Sequence, residues 1–153
     1  MSELPTTGAD AVVSALTSLG VRDVFAIASV HNLPLLEAIR RRTTIRVINA
    51  RHEQGAVHGA DGYARRSGRL GVAITSTGPG AANSVGALLE AKFSGSPVLM
   101  ITGQVESRFL GQGRGYLHEA ESQQAMLRTV TKETWSPRRV VDLGAAVLDA
   151  GTL

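Results

Sequence analysis

The sequence contains no cysteine, and only 4% of its 153 residues are aromatic. The lack of cysteine excludes a disulfide framework, a thiolate metal site and a cysteine nucleophile. So few aromatic rings leave little on which nucleic-acid bases can stack, and the net charge of +3 is explained by arginines at predicted helix ends. No apolar run approaches the length that spans a bilayer, and the first residues have no signal-peptide pattern. We therefore expect a cytoplasmic protein with neither a nucleic-acid nor a membrane partner.

The sequence is instead rich in glycine and in aliphatic residues. The chain has 17 glycines, is 43% hydrophobic and is 19% charged. These proportions are typical of a globular protein with an aliphatic core and many tight turns. The length suits one domain, so we assign residues 1–153 to a single domain.

Short apolar runs alternate with helical periodicities along the chain. The helical spacing predicts a helix over 53–67, ended by Gly68, and another over 81–93, while Asn32 is expected to cap a helix with Pro34 in its first turn. Continuous apolar strands, unlike strictly alternating ones, indicate a parallel sheet covered on both faces. We predict an α/β fold with a doubly wound, mainly parallel sheet and helices on both faces. The runs that predict strands are 24–28, 45–49, 72–76 and 97–102.

The last third of the sequence is less regular. Residues 103–115 form a long glycine-rich segment, which in a compact domain is usually functional or mobile. A short helix is predicted near 121–127. The α/β pattern stops at 151–153, where a further strand is expected, so we expect the domain to be truncated before its last strand.

One carboxylate, Glu53, stands where a predicted strand gives way to a helix. The segments that follow the four predicted strands should meet at one edge of the sheet, where α/β proteins assemble their sites. Glu53, the turn 78–80, Asn83 and His118 are therefore expected to share a cleft. Simpler interpretations remain open: Glu53 as a partner of the helix dipole, 78–80 as an ordinary turn, and Asn83 as a hydrogen-bond partner of that turn.

The residue spacing excludes three other motifs: a dinucleotide fingerprint, a zinc site and a serine nucleophile. Residues 78–83 give G-x-G-x-x-N, which lacks the third glycine of a dinucleotide fingerprint. His52 and His58 are six residues apart and point away from each other on a helix, unlike the pair of a zinc H-E-x-x-H site. Ser84 lies inside a predicted helix instead of at the strained elbow of G-x-S-x-G. No residue is therefore assigned as a metal ligand.

Three blocks, at 51–65, 75–83 and 101–105, resemble the pyrimidine-binding (N-terminal) domain of thiamine diphosphate-dependent enzymes, on the acetolactate synthase-like branch. The similarity runs from about residue 7 to 150. It implies the thiamine diphosphate-binding fold, a flavodoxin-like three-layer sandwich, and the decarboxylation and carboligation of 2-oxo acids. In that family the glutamate that matches Glu53 hydrogen-bonds N1′ of the aminopyrimidine and favours the imino tautomer, whose 4′ nitrogen removes the thiazolium C2 proton.

The same resemblance implies two groups of site residues. Those expected near the pyrimidine are Ser76, Gly78, Pro79, Gly80 and Asn83; those expected near the substrate are His31, Gln104 and His118. Leu117 and His118 depart from a Phe-Gln pair of the family, and 26–32 departs from its G-x-P-G-x-H-N turn. Ser29 and Val30 in that turn tolerate a positive φ poorly.

The family binds the diphosphate and Mg²⁺ through a separate domain that carries G-D-G and a downstream asparagine. Here only Ala60-Asp-Gly62 appears, on a predicted helix. We expect thiamine diphosphate as cofactor, with Mg²⁺ held by a domain absent from this chain, and no turnover by the chain alone. The expected partner is a complementary diphosphate-binding domain or subunit, in a homo- or hetero-oligomer. Two alternatives stay open: a non-catalytic interaction or dimerisation module that retains the fold, and an unrelated flavodoxin-like binding domain.

Overall fold

Helices and strands alternate in the structure, a computed structural model that describes residues 7–153. No helix among these residues is long and apolar enough to cross a membrane. The strands are β1 (Asp23–Ala26), β2 (Arg46–Asn49), β3 (Gly71–Thr75) and β4 (Val98–Thr102). The helices are α1 (Gly8–Ser18), α2 (Leu33–Arg42), α3 (Glu53–Ser67), α4 (Pro79–Asn83), α5 (Val85–Phe93), α6 (Gln123–Val130) and α7 (Val140–Thr152).

The strands form one parallel sheet in the order β2-β1-β3-β4. Ala26 of β1 is in register with Asn49 of β2 on one side and with Ile74 of β3 on the other. The chain therefore moves outward from β1 to β2 and then returns to continue on the opposite side, which places a switch point between β1 and β3. This topology confirms the predicted doubly wound α/β fold.

Each face of the sheet carries its own hydrophobic core. Val72 and Ile74 of β3 belong to a cluster with residues of α1, α2 and α7. Ala73, between them, belongs to a second cluster with residues of α3, α4, α5 and α6. Successive strand residues thus face opposite helical layers, which is why the strands read as continuous apolar runs.

Helix α3 lies very close to the sheet because two glycines allow it. A Cβ on Gly59 would lie 2.6 Å from Cδ1 of Phe25 in β1, and one on Gly71 of β3 would collide with the carbonyl oxygen of Ala60. The helix ends as predicted at Gly68, which adopts the left-handed conformation with φ 66°. This close approach holds the first residue of α3, Glu53, over the carboxyl edge of the sheet.

Two local predictions are wrong in part. The helix predicted over 81–93 is divided at Ser84, whose hydroxyl donates to the carbonyl oxygen of Gly80 at 3.0 Å and competes with the regular helical pattern. Asn32 is the N-cap residue of α2 and Pro34 lies in the first turn, as predicted, but the Asn32 side chain makes no capping hydrogen bond. That side chain is used instead to join two strand ends.

Candidate functional site

At the switch point the buried side chain of Asn32, which is 4% exposed, links the ends of β1 and β3. Its Nδ2 donates to the carbonyl oxygens of Ile27, after β1, and Thr75, in β3, at 2.8 and 3.2 Å. Its Oδ1 accepts from the backbone N–H of Ser29 at 2.8 Å. Neither Ser29 nor Val30 has a positive φ, so Asn32 fixes this turn without the glycine conformation that the family pattern suggested.

Glu53 begins α3 and is buried, with 8% of its surface exposed. The preceding residue, His52, caps the helix, since its Nδ1 accepts from the backbone N–H of Gln54 at 3.2 Å. The Glu53 carboxylate turns toward α4, where Nδ2 of Asn83 donates to Oε2 at 3.0 Å. The amide fixes one carboxylate oxygen.

Gly80 lies against the other carboxylate oxygen. A Cβ built on Gly80 would lie 2.6 Å from Oε1 of Glu53 and 2.5 Å from Cβ of Ser76. Both distances are shorter than real Cβ contacts, so this position requires glycine. The backbone of α4, the buried Ser76 and the Glu53 carboxylate therefore form one tightly packed group, while Pro79 is exposed at the start of α4.

Gly78 forms the turn before α4 and has a φ of 58°. A Cβ there would collide with the carbonyl oxygen of His118. Its N–H donates to Oε1 of Gln123 at 2.7 Å, and Nε2 of Gln123 donates to the carbonyl oxygen of Gly103 at 2.9 Å. Gln123, only 7% exposed, therefore joins the loops that follow β3 and β4. Sequence reasoning missed this role, for which the one signal is a polar residue at the start of an otherwise amphipathic helix.

His31 and His118 approach each other although 87 positions separate them along the chain. Their ring centroids are 5.3 Å apart and the planes are inclined by 70°, an edge-to-face arrangement. His118 has a φ of 63°, the one positive value of a non-glycine residue in the described part of the chain. Gln104 is exposed, and its Oε1 accepts from the N–H of Val105 at 2.8 Å.

Several buried polar atoms at this edge have no hydrogen-bond partner among the described residues. They follow β1, end β3 or follow β3 and β4, and so surround the switch point. Buried donors and acceptors without a partner are costly and therefore require an explanation at this edge, although Thr75 and Thr77 are completely buried and out of reach of a ligand. These atoms are Ser29 Oγ, His31 Nε2, Thr75 Oγ1, Thr77 Oγ1 and His118 Nδ1.

The glycine-rich loop after β4 has internal structure. The rings of Phe109 and Tyr116 stack with centroids 4.0 Å apart, and the Tyr116 hydroxyl donates to Glu106 at 3.0 Å. That hydrogen bond raises the pKa of Tyr116. The carboxylate of Glu119 accepts from the backbone N–H groups of Tyr116 and Gly113 at 2.9 and 3.1 Å, and these donors lower its pKa. These contacts within the loop therefore hold the segment that carries His118 in a defined conformation.

Asp61, the acid of the Ala60-Asp-Gly62 sequence, has a structural partner. Both of its oxygens accept from Arg65 at 2.8 Å, and Arg65 also donates to Oγ of Ser94 at 2.7 Å. The guanidinium holds the pKa of Asp61 below its usual range. No group of three or more His, Cys, Asp or Glu residues suited to a metal ion occurs within residues 7–153.

A parallel sheet with a switch point, a buried carboxylate beside it and glycines that expose backbone to that carboxylate define a doubly wound α/β ligand-binding domain. Residues 6–126 match the family described as "Thiamine pyrophosphate enzyme, N-terminal TPP binding domain". The chain belongs to this family; thiamine pyrophosphate is another name for thiamine diphosphate.

Its curated relatives include several acetolactate synthases. Acetolactate synthase 2, chloroplastic, of Brassica napus is 38% identical over 147 residues, which cover 96% of this chain and 23% of that protein. The acetolactate synthase large subunit of Lactococcus lactis is 38% identical over 148 residues, 97% of this chain and 25% of that protein. Acetolactate synthase 1, chloroplastic, of Zea mays is 46% identical over 107 residues, which cover 70% of this chain and 17% of that protein. The chain thus spans a quarter or less of these relatives.

Proposed function

We propose that this chain is the pyrimidine-binding half of a thiamine diphosphate-dependent 2-oxo acid decarboxylase or carboligase of the acetolactate synthase type. The observation that carries the proposal is the position of the Glu53 carboxylate. It is buried, oriented by Asn83 at 3.0 Å and in van der Waals reach of the Gly80 backbone. A carboxyl group held in this way is suited to exchange a proton with a weakly basic ring nitrogen.

The residues around Glu53 suit a flat aminopyrimidine. Because Gly78 and Gly80 lack a Cβ, the carbonyl group of His118, the Ser76 side chain and the Glu53 carboxylate pack directly against the strand-to-helix turn. In our proposal Ser76 and Pro79 border the ring, Asn83 orients the carboxylate, and Glu53 hydrogen-bonds the ring nitrogen. The cofactor would supply the carbon nucleophile that adds to the carbonyl group of a 2-oxo acid.

The proposal assigns the rest of the reaction site to another domain. A complementary diphosphate-binding domain or subunit would hold the diphosphate and Mg²⁺, so the isolated chain would not turn over. The short coverage of the relatives, 23% and 25% of two of them, supports this division. The proposal includes a homo- or hetero-oligomer in the cytoplasm; fractionation of a tagged chain tests the location.

The activity is tested by combining the chain with a diphosphate-binding partner that carries the G-D-G motif. With Mg²⁺, thiamine diphosphate and pyruvate, the mixture should release carbon dioxide. Glu53→Gln keeps the size of the side chain but removes the ionisable proton, so we expect a loss of about 100-fold or more. Gln54→Ala, at the exposed neighbouring position, is the matched control. Equal rates for Glu53→Gln and the wild type would refute the role of Glu53.

A second candidate is a non-catalytic interaction module that retains the fold. It is favoured by exposed apolar side chains near the same edge, Val30 at 61% and Leu117 at 58%. Calorimetric titration with thiamine separates the two. Heat of binding that Glu53→Gln weakens supports the cofactor site, whereas no binding by a folded, self-associating chain supports the module.

A further inference from the structure

The loop between β4 and α6, residues 103–122, contains no helix or strand and is bent by left-handed residues. Gly111, Gly113 and Gly115 have φ values of 77°, 62° and 68°, and His118 has a φ of 63°. The loop therefore folds back on itself between 111 and 118. Because no helical or sheet ladder holds such a segment, its conformation depends on side-chain contacts.

The carboxylate of Glu119 supplies the contact that closes the β4–α6 loop. Its Oε1 accepts from the backbone N–H of Gly113 at 3.1 Å, and its Oε2 accepts from that of Tyr116 at 2.9 Å. Successive N–H groups in alternating backbone conformations form a nest for negative charge. Hydrogen bonds to an ionised acceptor are about twice as strong as neutral ones. Glu119 thus ties the end of the loop to its bend through charge.

Tyr116 transmits this contact to the first half of the loop. Its ring stacks on Phe109 with centroids 4.0 Å apart, and its hydroxyl donates to Glu106 at 3.0 Å. Glu106 in turn pairs with Arg108 at 2.7 Å. Glu119 fixes the backbone of Tyr116, so it also fixes the position from which the ring reaches Phe109.

The closed loop reaches the candidate site through His118, the residue before Glu119. Its carbonyl oxygen lies where a Cβ of Gly78 would be, at the start of the turn that leads to Gly80. A left-handed conformation in a residue other than glycine persists only when the surroundings enforce it. The hydrogen bonds of Glu119 are the nearest contacts that can enforce it.

We propose that Glu119 is a positioning residue that acts as an acid-sensitive latch: its ionised carboxylate holds the β4–α6 loop against the Gly78 turn, and protonation releases the loop. A protonated carboxyl carries an O–H donor on one oxygen, so it cannot accept from both backbone N–H groups equally well. The latch needs neither thiamine nor a partner domain and is independent of the proposed function.

The direction of the pH dependence follows from the same contacts. The backbone N–H of Tyr116, and then those of Gly113, Gly115 and Arg114, lower the pKa of Glu119 from its ordinary value of 4.5. The latch is therefore fully closed above that value and opens as the pH falls through the lower pKa of the folded chain. The other titratable or charged side chains on the loop and on the turn after β1 are His31, Glu106, Arg108, Arg114, Tyr116, His118 and Glu121.

The latch is tested on the full chain by NMR of carbon-13-labelled tyrosine rings. The chain has two tyrosines, and Tyr63, whose ring contacts Phe25 edge to face, reports on α3 and the sheet. At neutral pH the ring current of Phe109 should displace the Tyr116 signals from their free positions. As the pH falls they should return with a midpoint below 4.5, while the Tyr63 signals stay in place.

Glu119→Gln matches the protonated carboxyl in size and lacks the charge. Its Tyr116 signals should lie near the acid position already at neutral pH and should lose the transition. The backbone N–H groups of Gly113 and Tyr116 should exchange with solvent roughly tenfold faster than in the wild type. Glu121→Gln removes the same charge from an exposed neighbouring position and should behave as the wild type. Both variants retain every other titratable group of the loop except the one replaced.

Two results would overturn the latch. One is a Glu119→Gln chain whose Tyr116 signals match the wild type at neutral pH or keep its acid transition. The other is a wild-type titration in which Tyr63 and Tyr116 change together, because that would be acid unfolding of the whole chain. The wild-type titration decides the question even if a variant does not fold, and its outcome is independent of the activity of Glu53→Gln.

Discussion

Gly80 is a residue at which a single methyl group should disturb the Glu53 carboxylate directly. Its Cβ would lie 2.6 Å from Oε1 of Glu53 and 2.5 Å from Cβ of Ser76. Gly80→Ala should therefore displace the Glu53 carboxylate and lower the free energy of unfolding by about 1–3 kcal/mol, the usual range for overpacking. Urea denaturation measures the loss, and calorimetry with thiamine should show weaker binding.

Gly62 provides the matched control for that substitution. It lies in the middle of α3, and no atom stands within 4 Å of the place that a Cβ would take. Gly62→Ala should raise the free energy of unfolding by about 0.5–1 kcal/mol, because alanine loses less backbone entropy in a helix. If both variants changed stability in the same direction, tight packing at Gly80 would not explain the loss.

How far single residues can be predicted from the sequence depends on where their partners are. Glu53 is recognisable because a strand pattern ends just before it, and Gly78 because a glycine-proline-glycine turn follows a strand. The roles of Gln123 and Asn32 are not recognisable, since Gln123 bonds Gly78 in the turn after β3 and Asn32 bonds Thr75 at the end of β3, 45 and 43 positions away. Only the folded sheet brings those partners together.

At the scale of elements, Asp61 and Arg65 fasten α3 to the end of α5. Asp61 is 5% exposed and accepts both hydrogen bonds from Arg65, which also reaches Ser94. Asp61→Asn should lower the free energy of unfolding near neutral pH by about 1–2 kcal/mol, a moderate value because Arg65 is partly solvated. Urea denaturation at several pH values measures this difference.

The pH dependence of that difference has a definite sign. Arg65 lowers the pKa of Asp61 in the folded chain from its ordinary value of 3.8. The stabilisation is therefore complete above the unfolded pKa and disappears as the pH falls through the folded one. Wild type and Asp61→Asn should converge in acid. Glu37, whose pKa Arg40 lowers to about 2, is an exposed control, and Glu37→Gln should leave the unfolding midpoint almost unchanged.

Element boundaries were predictable where a residue enforces them locally. Helix α3 runs over Glu53–Ser67 as expected, because Gly68 takes the left-handed conformation that ends helices. The division between α4 and α5 was not predictable from periodicity. Ser84 is fully buried and bonds back to Gly80, so tertiary packing decides its conformation there.

For the whole molecule, the order of the strands decides which loops meet. Because β1 and β3 are neighbours while the chain visits β2 between them, the segments that carry His31, Ser76 and Gly78 lie side by side. Glu53 joins them from α3, which covers one face of the sheet. The alternation of strands and helices was sufficient to predict that these segments meet at one edge of the sheet; that this edge is the functional site stays a prediction.

The proposed division of the cofactor between two domains predicts how the isolated chain should choose among thiamine derivatives. If this chain holds only the pyrimidine, thiamine and thiamine diphosphate should bind with dissociation constants within about threefold, a difference below 1 kcal/mol. Mg²⁺ should change neither dissociation constant, and Glu53→Gln should weaken the binding of thiamine and of thiamine diphosphate equally. Calorimetric titration of the full chain measures all of these constants. A large, Mg²⁺-dependent preference for the diphosphate would place the diphosphate-binding groups on this chain, and the partner domain would then not be needed for binding the cofactor.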